Sequence, residues 1–507
     1  MKIKSVGIKG FRGYSDEILV ELSDLLVLVG KNDVGKSTVL EALDIFFNEG
    51  KGSIKIDKDD VNKKNLVAGD DCIQISVEFE ELPDSIIIDA TNETSLADEY
   101  LVSEQGTLKV IKRYPNAGKE KVYIQAYHST STDCSDLLLK KHGELKKALE
   151  AQGLQCADKT KSSELRKSIW AGQDDLELQS IEIEVSKIDS KNIWDQLKAY
   201  MPLYSLFQSD RKNSDGDSEV QDPMRLAVKE ILGDPAIRAE LANVADTVKA
   251  RLDAVAAQTL IKLAELNPNI ASSLNPQIPE PDALKWIDVF KNVAISGDEE
   301  IPINKRGSGV KRLVLISFFR AEAERRQREA GLPSVVYAIE EPETSQHPDH
   351  QRALISALIT LSAVPKTQII VTTHSPEIVK QLQFDNIVLI AGQEPGDIKK
   401  VRESELPYPS LNEVNFSAFD ESTFEYHNEL YGYIEAEGKL GAFKAGEPTM
   451  AYNKLNRDGT TTPQQLILTE YIRHQIHHPE NTTNRRFTDE ELRQSIGAMR
   501  AFIQDNP

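Results

Sequence analysis

Cysteine is scarce in this chain. Of 507 residues only Cys72, Cys134 and Cys156 carry a thiol, and none stands close enough to another to make a CxxC pair. That argues against a structural zinc or a disulfide framework and favours a reducing, cytoplasmic setting. No apolar run reaches membrane-spanning length, so no membrane partner is expected. The opening Met1-Lys2-Ile3-Lys4-Ser5-Val6 alternates and has no signal-peptide core. Positive charge is also short, since 60 Lys and Arg against 81 Asp and Glu leave a net charge of -21. This balance favours solubility and opposes general nucleic-acid affinity, leaving only a local basic face or DNA held by a dimer. Sustained a/d heptads and internal repeats are missing, which speaks against a long coiled coil.

What is present is enough hydrophobic residue, 40%, and enough length for two or more structural units. Residues 1–134 read as strand, strand, glycine-rich loop, helix and further strands. Among them Leu108–Arg113 and Lys121–Tyr127 read as a hairpin around Pro115-Asn116-Ala117-Gly118. Residues 135–295 read as a helical insertion with a polar loop at 206–223. Residues 296–395 return to strand–helix alternation, and 396–507 read as a mostly helical C-terminal region. Its last helix is headed by the capping box Thr488-x-x-Glu491.

Four segments carry chemistry. Gly30-Lys31-Asn32-Asp33-Val34-Gly35-Lys36-Ser37 fits G-x-x-x-x-G-K-[ST] between a predicted strand and a predicted helix. In such a loop Gly30, Asn32 and Gly35 lie along the backbone that curls around phosphates. Lys36 reaches the β and γ oxygens and Ser37 holds Mg²⁺; Asp33 is given no role. Val335 to Ile339 form an apolar strand that delivers Glu340, for the metal, and Glu341, to polarise an attacking water. A third strand runs into Thr373-His374-Ser375, where His374 can meet the γ-phosphate. Arg306-Gly307-Ser308-Gly309-Val310-Lys311 precedes an apolar helix and forms a second phosphate-binding surface. One chain needs only one such loop, so this second surface is expected to serve a partner's ATP. Gln208 and Gln125 are both candidates for a sensor glutamine.

With these segments in this order, the sequence resembles the SMC/RecF/OLD-like branch of ABC ATPases, in particular the stand-alone ATPases of prokaryotic anti-phage defence. Ile8-Lys9-Gly10-Phe11-Arg12-Gly13-Tyr14 is similar to that branch's first-strand motif, which places Arg12 near the nucleotide. Gly307-Ser308-Gly309 resembles a reduced signature, and Ser345–Pro348 stands where the dimer-crossing loop belongs. The resemblance implies an α/β ABC-type P-loop ATPase head with a mixed N-terminal lobe and a parallel-sheet lobe. It also implies ATP and Mg²⁺ as cofactors, a head-to-head dimer with composite sites, and a separate effector protein. Two departures stand out: Val310-Lys311 replaces the end of a Leu-Ser-Gly-Gly-Gln signature, and Glu340 replaces the usual aspartate. The Toprim nuclease of OLD proteins is not expected, because Asp420, Asp458 and Asp489 are isolated acids.

In the C-terminal region Arg473 and His478 resemble the R-polar-x-x-x-H motif of HEPN ribonucleases. A helix end whose histidines complement the dipole, or a metal site, accounts for the same residues. Three functions therefore stand open. They are an ATPase that gates an effector, a metal-independent ribonuclease under ATPase control, and a RecF-like DNA-repair ATPase.

Overall fold

The computed structural model describes residues 1–31, 34–49, 52–89, 92–185, 191–208, 227–266, 308–328, 333–343, 347–391, 397–400 and 410–506. Two six-stranded sheets organise the first four hundred residues. The first comprises β1 (Lys2–Lys9), β2 (Ile18–Glu21), β4 (Cys72–Glu80), β7 (Leu108–Pro115), β8 (Lys121–Ser129) and β9 (Leu178–Glu184). It is antiparallel throughout, in the order β2-β1-β4-β7-β8-β9. A small hairpin of β5 (Ile86–Asp89) and β6 (Asn92–Thr94) stands beside it. The alternating burial of β4, with Ile73, Ile75, Val77 and Phe79 inward, is the period-two pattern of a strand with one packed face.

The second sheet holds β3 (Leu25–Val29), β10 (Leu203–Phe207), β11 (Val335–Glu340), β12 (Thr367–Thr373), β13 (Ile387–Ala391) and β14 (Asp397–Lys400). Its order is β10-β11-β12-β3-β13-β14, parallel except for β14 at the edge. Every residue of Leu-Leu-Val-Leu-Val in β3 is buried, as expected of a strand covered on both faces. Leu26 and Leu28 enter one core with the antiparallel sheet and the helix Lys36–Asn48. Leu25, Val27 and Val29 enter a second core with the helices Ser308–Arg328 and Pro348–Ser362. One strand thus nails two cores together, with each buried aliphatic side chain contributing about 1.5–3 kcal/mol.

The segment 135–295, expected to be helical, does carry the helices His142–Ala151, Ser162–Ala171 and Pro235–Leu266. It also supplies two strands that the sequence reading did not contain. β9 closes the antiparallel sheet at its edge, and β10 closes the parallel sheet beside β11. Leu206 and Phe207, assigned above to a polar loop at 206–223, are buried strand residues. Strands of five to seven residues at sheet edges carry too little periodicity to announce themselves. Residues 209–223 of that loop lie outside the described residues.

The C-terminal region forms its own core from Tyr426, Leu430, Ile434, Ile472, Leu492, Ile496 and Met499. The region's first described residues, Asp397–Lys400, instead form β14 of the parallel sheet, so the expected boundary at 395 falls inside that sheet. From residue 410 on, the described residues are helical apart from a hairpin, β15 (Thr449–Leu455) with β16 (Thr461–Ile467). The helix Leu411–Phe419 joins it to the head, with Val414 and Ala418 in the second core and Phe416 against the third. The capping box at Thr488 and Glu491 is formed as expected. No helix among the described residues is long and apolar enough to cross a membrane.

Candidate functional site

Because β10, β11, β12 and β3 are parallel neighbours, their carboxyl ends lie along one rim, where open α/β sheets bind ligands. Gln208 follows β10, Glu340 ends β11, His374 follows β12 and Gly30 follows β3. Residues far apart in sequence are gathered there by strand order alone.

The glycine loop can take only glycine at two points. A Cβ on Gly30 would stand 2.5 Å from the Ile390 carbonyl oxygen on β13. Gly35 has φ 101°, and its Cβ would stand 2.5 Å from the Tyr14 hydroxyl, which donates to the Gly35 carbonyl at 3.0 Å. The helix Lys36–Asn48 then begins with no acid in its first turn, so its positive end is free for an anion. Lys36 is buried, and its Nζ donates to the carbonyls of Gly30 (2.9 Å) and Lys31 (2.7 Å). Ser37 is the next residue of that turn. Asn32 and Asp33 lie outside the described residues.

Glu341 leaves β11 with φ 39°, a left-handed turn that points the chain away from the strand. Its N–H is held by the carbonyl of Thr372 (3.1 Å) and by that residue's hydroxyl (3.1 Å). Its carboxylate stands 3.8 Å from Lys36 Nζ and 3.4 Å from His374 Nδ1. The nominated base, lysine and histidine are therefore mutual neighbours.

Two carboxylates at this rim were not singled out in the sequence. Glu343 is buried, and its Oε1 accepts from the Thr373 hydroxyl (2.7 Å) and the His374 N–H (2.8 Å). Burial pushes its carboxyl pKa up, against the pull of those two donors. Glu41, on the glycine-loop helix, pairs with Arg12 and accepts from Gln208 Nε2 at 3.4 Å. Arg12 is also bound to Asp60 (2.8 Å), and its left-handed backbone (φ 48°) is fixed by Asn62, whose amide donates to the Arg12 carbonyl. Nothing local in sequence marks either acid; both act through contacts made by folding.

Of the two glutamines, only Gln208 reaches the rim. Gln125 is on β8 of the antiparallel sheet, where its amide faces Ser180 on β9. Gly307 and Ser345 lie outside the described residues. Ser308 and Gly309 open the helix Ser308–Arg328.

Arg473 and His478 take different partners. The helix Leu468–His477 carries Arg473 but stops before His478, whose backbone (φ -127°, ψ 64°) leaves the helical path. Arg473 lies over the Tyr431 ring at 4.1 Å and near Glu435. His478 caps the helix Leu468–His477 and meets Glu480 at 3.1 Å. The three isolated acids are apart. Asp420 pairs with Arg493 and stands 3.6 Å from Lys31 of the glycine loop, Asp458 turns the hairpin, and Asp489 opens the last helix. Among the described residues, no cluster of three or more His, Cys, Asp or Glu is placed to hold a metal.

The residues present fit a magnesium nucleotide. Two positions exclude any Cβ, a lysine and a bare helix N-terminus favour phosphate, and Ser37 and Glu340 offer the oxygen donors that magnesium takes. The antiparallel sheet, the parallel sheet and the loop helix between them make an α/β ABC-type P-loop head.

No curated protein matches this chain. Solved structures similar to it include an SMC head domain from Thermotoga maritima, 13% identical over 79% of this chain and 100% of the other, with a TM-score of 0.34. Another is a Pyrococcus furiosus Smc head domain with an extended coiled coil, bound to the C-terminal domain of ScpA. It is 12% identical over 78% and 95% of the two chains, with a TM-score of 0.39. A family model described as AAA ATPase domain matches residues 1–379, so the chain belongs to that family, AAA_15, and is an ATPase.

Proposed function

We propose that this ATPase works as a head-to-head dimer with two composite ATP sites and couples its nucleotide state to a separate effector. The observation that carries the catalytic half is the placement of Glu341 between Lys36 and His374, at 3.8 and 3.4 Å. In this reading the amides of Gly30 to Gly35 and the helix N-terminus bind the phosphates. Lys36 exchanges its two loop carbonyls for β and γ oxygens, while Arg12 approaches from the first strand. Ser37 and Glu340 would hold Mg²⁺, which would offset phosphate charge. Glu341 orients the attacking water and takes up its proton, and His374 steadies the terminal phosphate.

The dimer rests on the Gly307-Ser308-Gly309 segment, a second glycine-and-hydroxyl surface at a helix start in a chain that already has its own loop. Closing two such heads on ATP and parting them on hydrolysis turns occupancy into a change of shape that a partner can read. The resemblance to defence ATPases supports an anti-phage setting. The ribonuclease reading draws no support from Arg473 and His478, each of which is engaged by another partner, Tyr431 and Glu480 respectively.

ATP turnover of Glu341→Gln tests the site. A loss on the order of 10²–10⁴-fold is expected for a missing base. Turnover close to wild type would remove Glu341 from the mechanism.

A further inference from the structure

The contacts of Glu343 go beyond what a loop needs to hold its shape. Its carboxylate crosses from the loop after β11 to the loop after β12, taking both the Thr373 hydroxyl and the His374 N–H on Oε1. Thr373 in turn accepts the Ser375 N–H at 3.0 Å, and Ser375 donates to Gln351 at 2.9 Å. Among the described residues Oε2 of Glu343 is buried with no partner, and so is His374 Nδ1, which stands 3.4 Å from Glu343 Oε1 and 3.4 Å from Glu341 Oε1. Oε1, already taking two donors, presents an acceptor face to the imidazole edge. Carboxylate oxygens only accept, so the ring nitrogen facing them is the one that gains by carrying hydrogen.

We propose that Glu343 is a positioning residue of the ATPase: it fixes the loop that bears His374 and keeps that ring's proton on Nδ1. Nε2, on the opposite edge of the ring, is then the atom left to meet the terminal phosphate. The inference rests on the assignment of His374 to the phosphate given above. It assigns to a third acid of Glu340-Glu341-Pro342-Glu343 a task distinct from metal binding and from water activation. Serving two loops at once, Glu343 also makes the histidine's position depend on that of the segment carrying Glu341.

A double-mutant cycle on the full chain separates this role from a structural one. Glu343→Gln keeps an oxygen acceptor for Thr373 and the His374 N–H but removes the charge. We expect kcat to fall roughly tenfold, the scale of a lost supporting contact, with KM for ATP little changed. In a His374→Ala background the same substitution should then have almost no further effect. Equal losses in both backgrounds, or wild-type kcat in Glu343→Gln, would overturn the proposal. Nitrogen-15 NMR of the nine histidines gives an answer independent of the variants' folding. His374 in the wild type should carry its proton on Nδ1, and a ring protonated only on Nε2 would also overturn it. If His374→Ala alone leaves turnover intact, the phosphate role of His374 fails and this inference falls with it. If His374→Ala is impaired and Glu343→Gln is not, only the inference on Glu343 fails.

Discussion

At Gly35 the backbone conformation and the neighbouring ring make the same demand. A side chain there meets both φ 101° and the Tyr14 hydroxyl, so Gly35→Ala should cost about 1–3 kcal/mol in stability. It should also weaken ATP binding, since the loop must shift off Tyr14. Thermal unfolding and nucleotide titration check both, and an alanine variant with wild-type ATP affinity would show that the loop tolerates the shift. His427 makes a different prediction. It is fully buried among the C-terminal helices, with Nε2 on Ser495 at 3.0 Å, and burial pushes its pKa down to about 4. A histidine with a folded pKa below its unfolded value binds its proton mainly when unfolded. It therefore leaves stability intact above pH 6.5 and erodes it as pH falls towards 4. Between pH 7 and pH 5 the loss should be up to about 2 kcal/mol. Urea unfolding of the wild type and of His427→Asn should show the steeper pH slope in the wild type.

At the scale of elements, β10 does what its length conceals. Tyr204 donates to the Leu40 carbonyl at 2.6 Å and stacks on Phe47, which locks this edge strand to the glycine-loop helix. The strand thereby delivers Gln208 to Glu41. Gln208→Ala should lower ATP turnover by about tenfold, while Gln125→Ala, remote on β8, should leave it unchanged. A reversal of that order would move the sensor role to the antiparallel sheet. Much of the nucleotide rim was legible in the sequence because its signals are local: a loop of fixed spacing, apolar runs ending in acids, a strand ending in histidine. β9 and β10 were not legible, being short and marginal in pattern. Glu41 and Glu343 were not either, because an acid beside a motif looks the same whether it is solvated or folded inward. The helix Leu411–Phe419 adds a case of its own. Its Glu413 is fully buried and bound by Arg500 and by the Tyr426 hydroxyl, an arrangement that the chain's acidic surplus hides. Glu413→Ala should destabilise the C-terminal core by about 1–3 kcal/mol, because it leaves the buried Tyr426 hydroxyl without its acceptor and Arg500 without its carboxylate.

At the scale of the whole molecule, the question is whether one head completes another. Mass measured in solution with ATP should double, or lock in a larger assembly, for Glu341→Gln, which retains nucleotide. Without ATP the smaller species should dominate. A monomer in both conditions would leave the Gly307-Ser308-Gly309 segment without its proposed task.

β3 lies between β12 and β13, and Gly30 presses on the carbonyl of Ile390. Yet the family match ends at residue 379, before β13 begins at Ile387. A fragment trimmed to that match would strip β3 of its neighbour and leave the phosphate-loop strand as a bare, wholly apolar sheet edge. Such an edge invites pairing with other chains, so the trimmed protein should precipitate or form fibres before its chemistry could be judged. For expression and truncation work, the catalytic unit extends at least through Ala391.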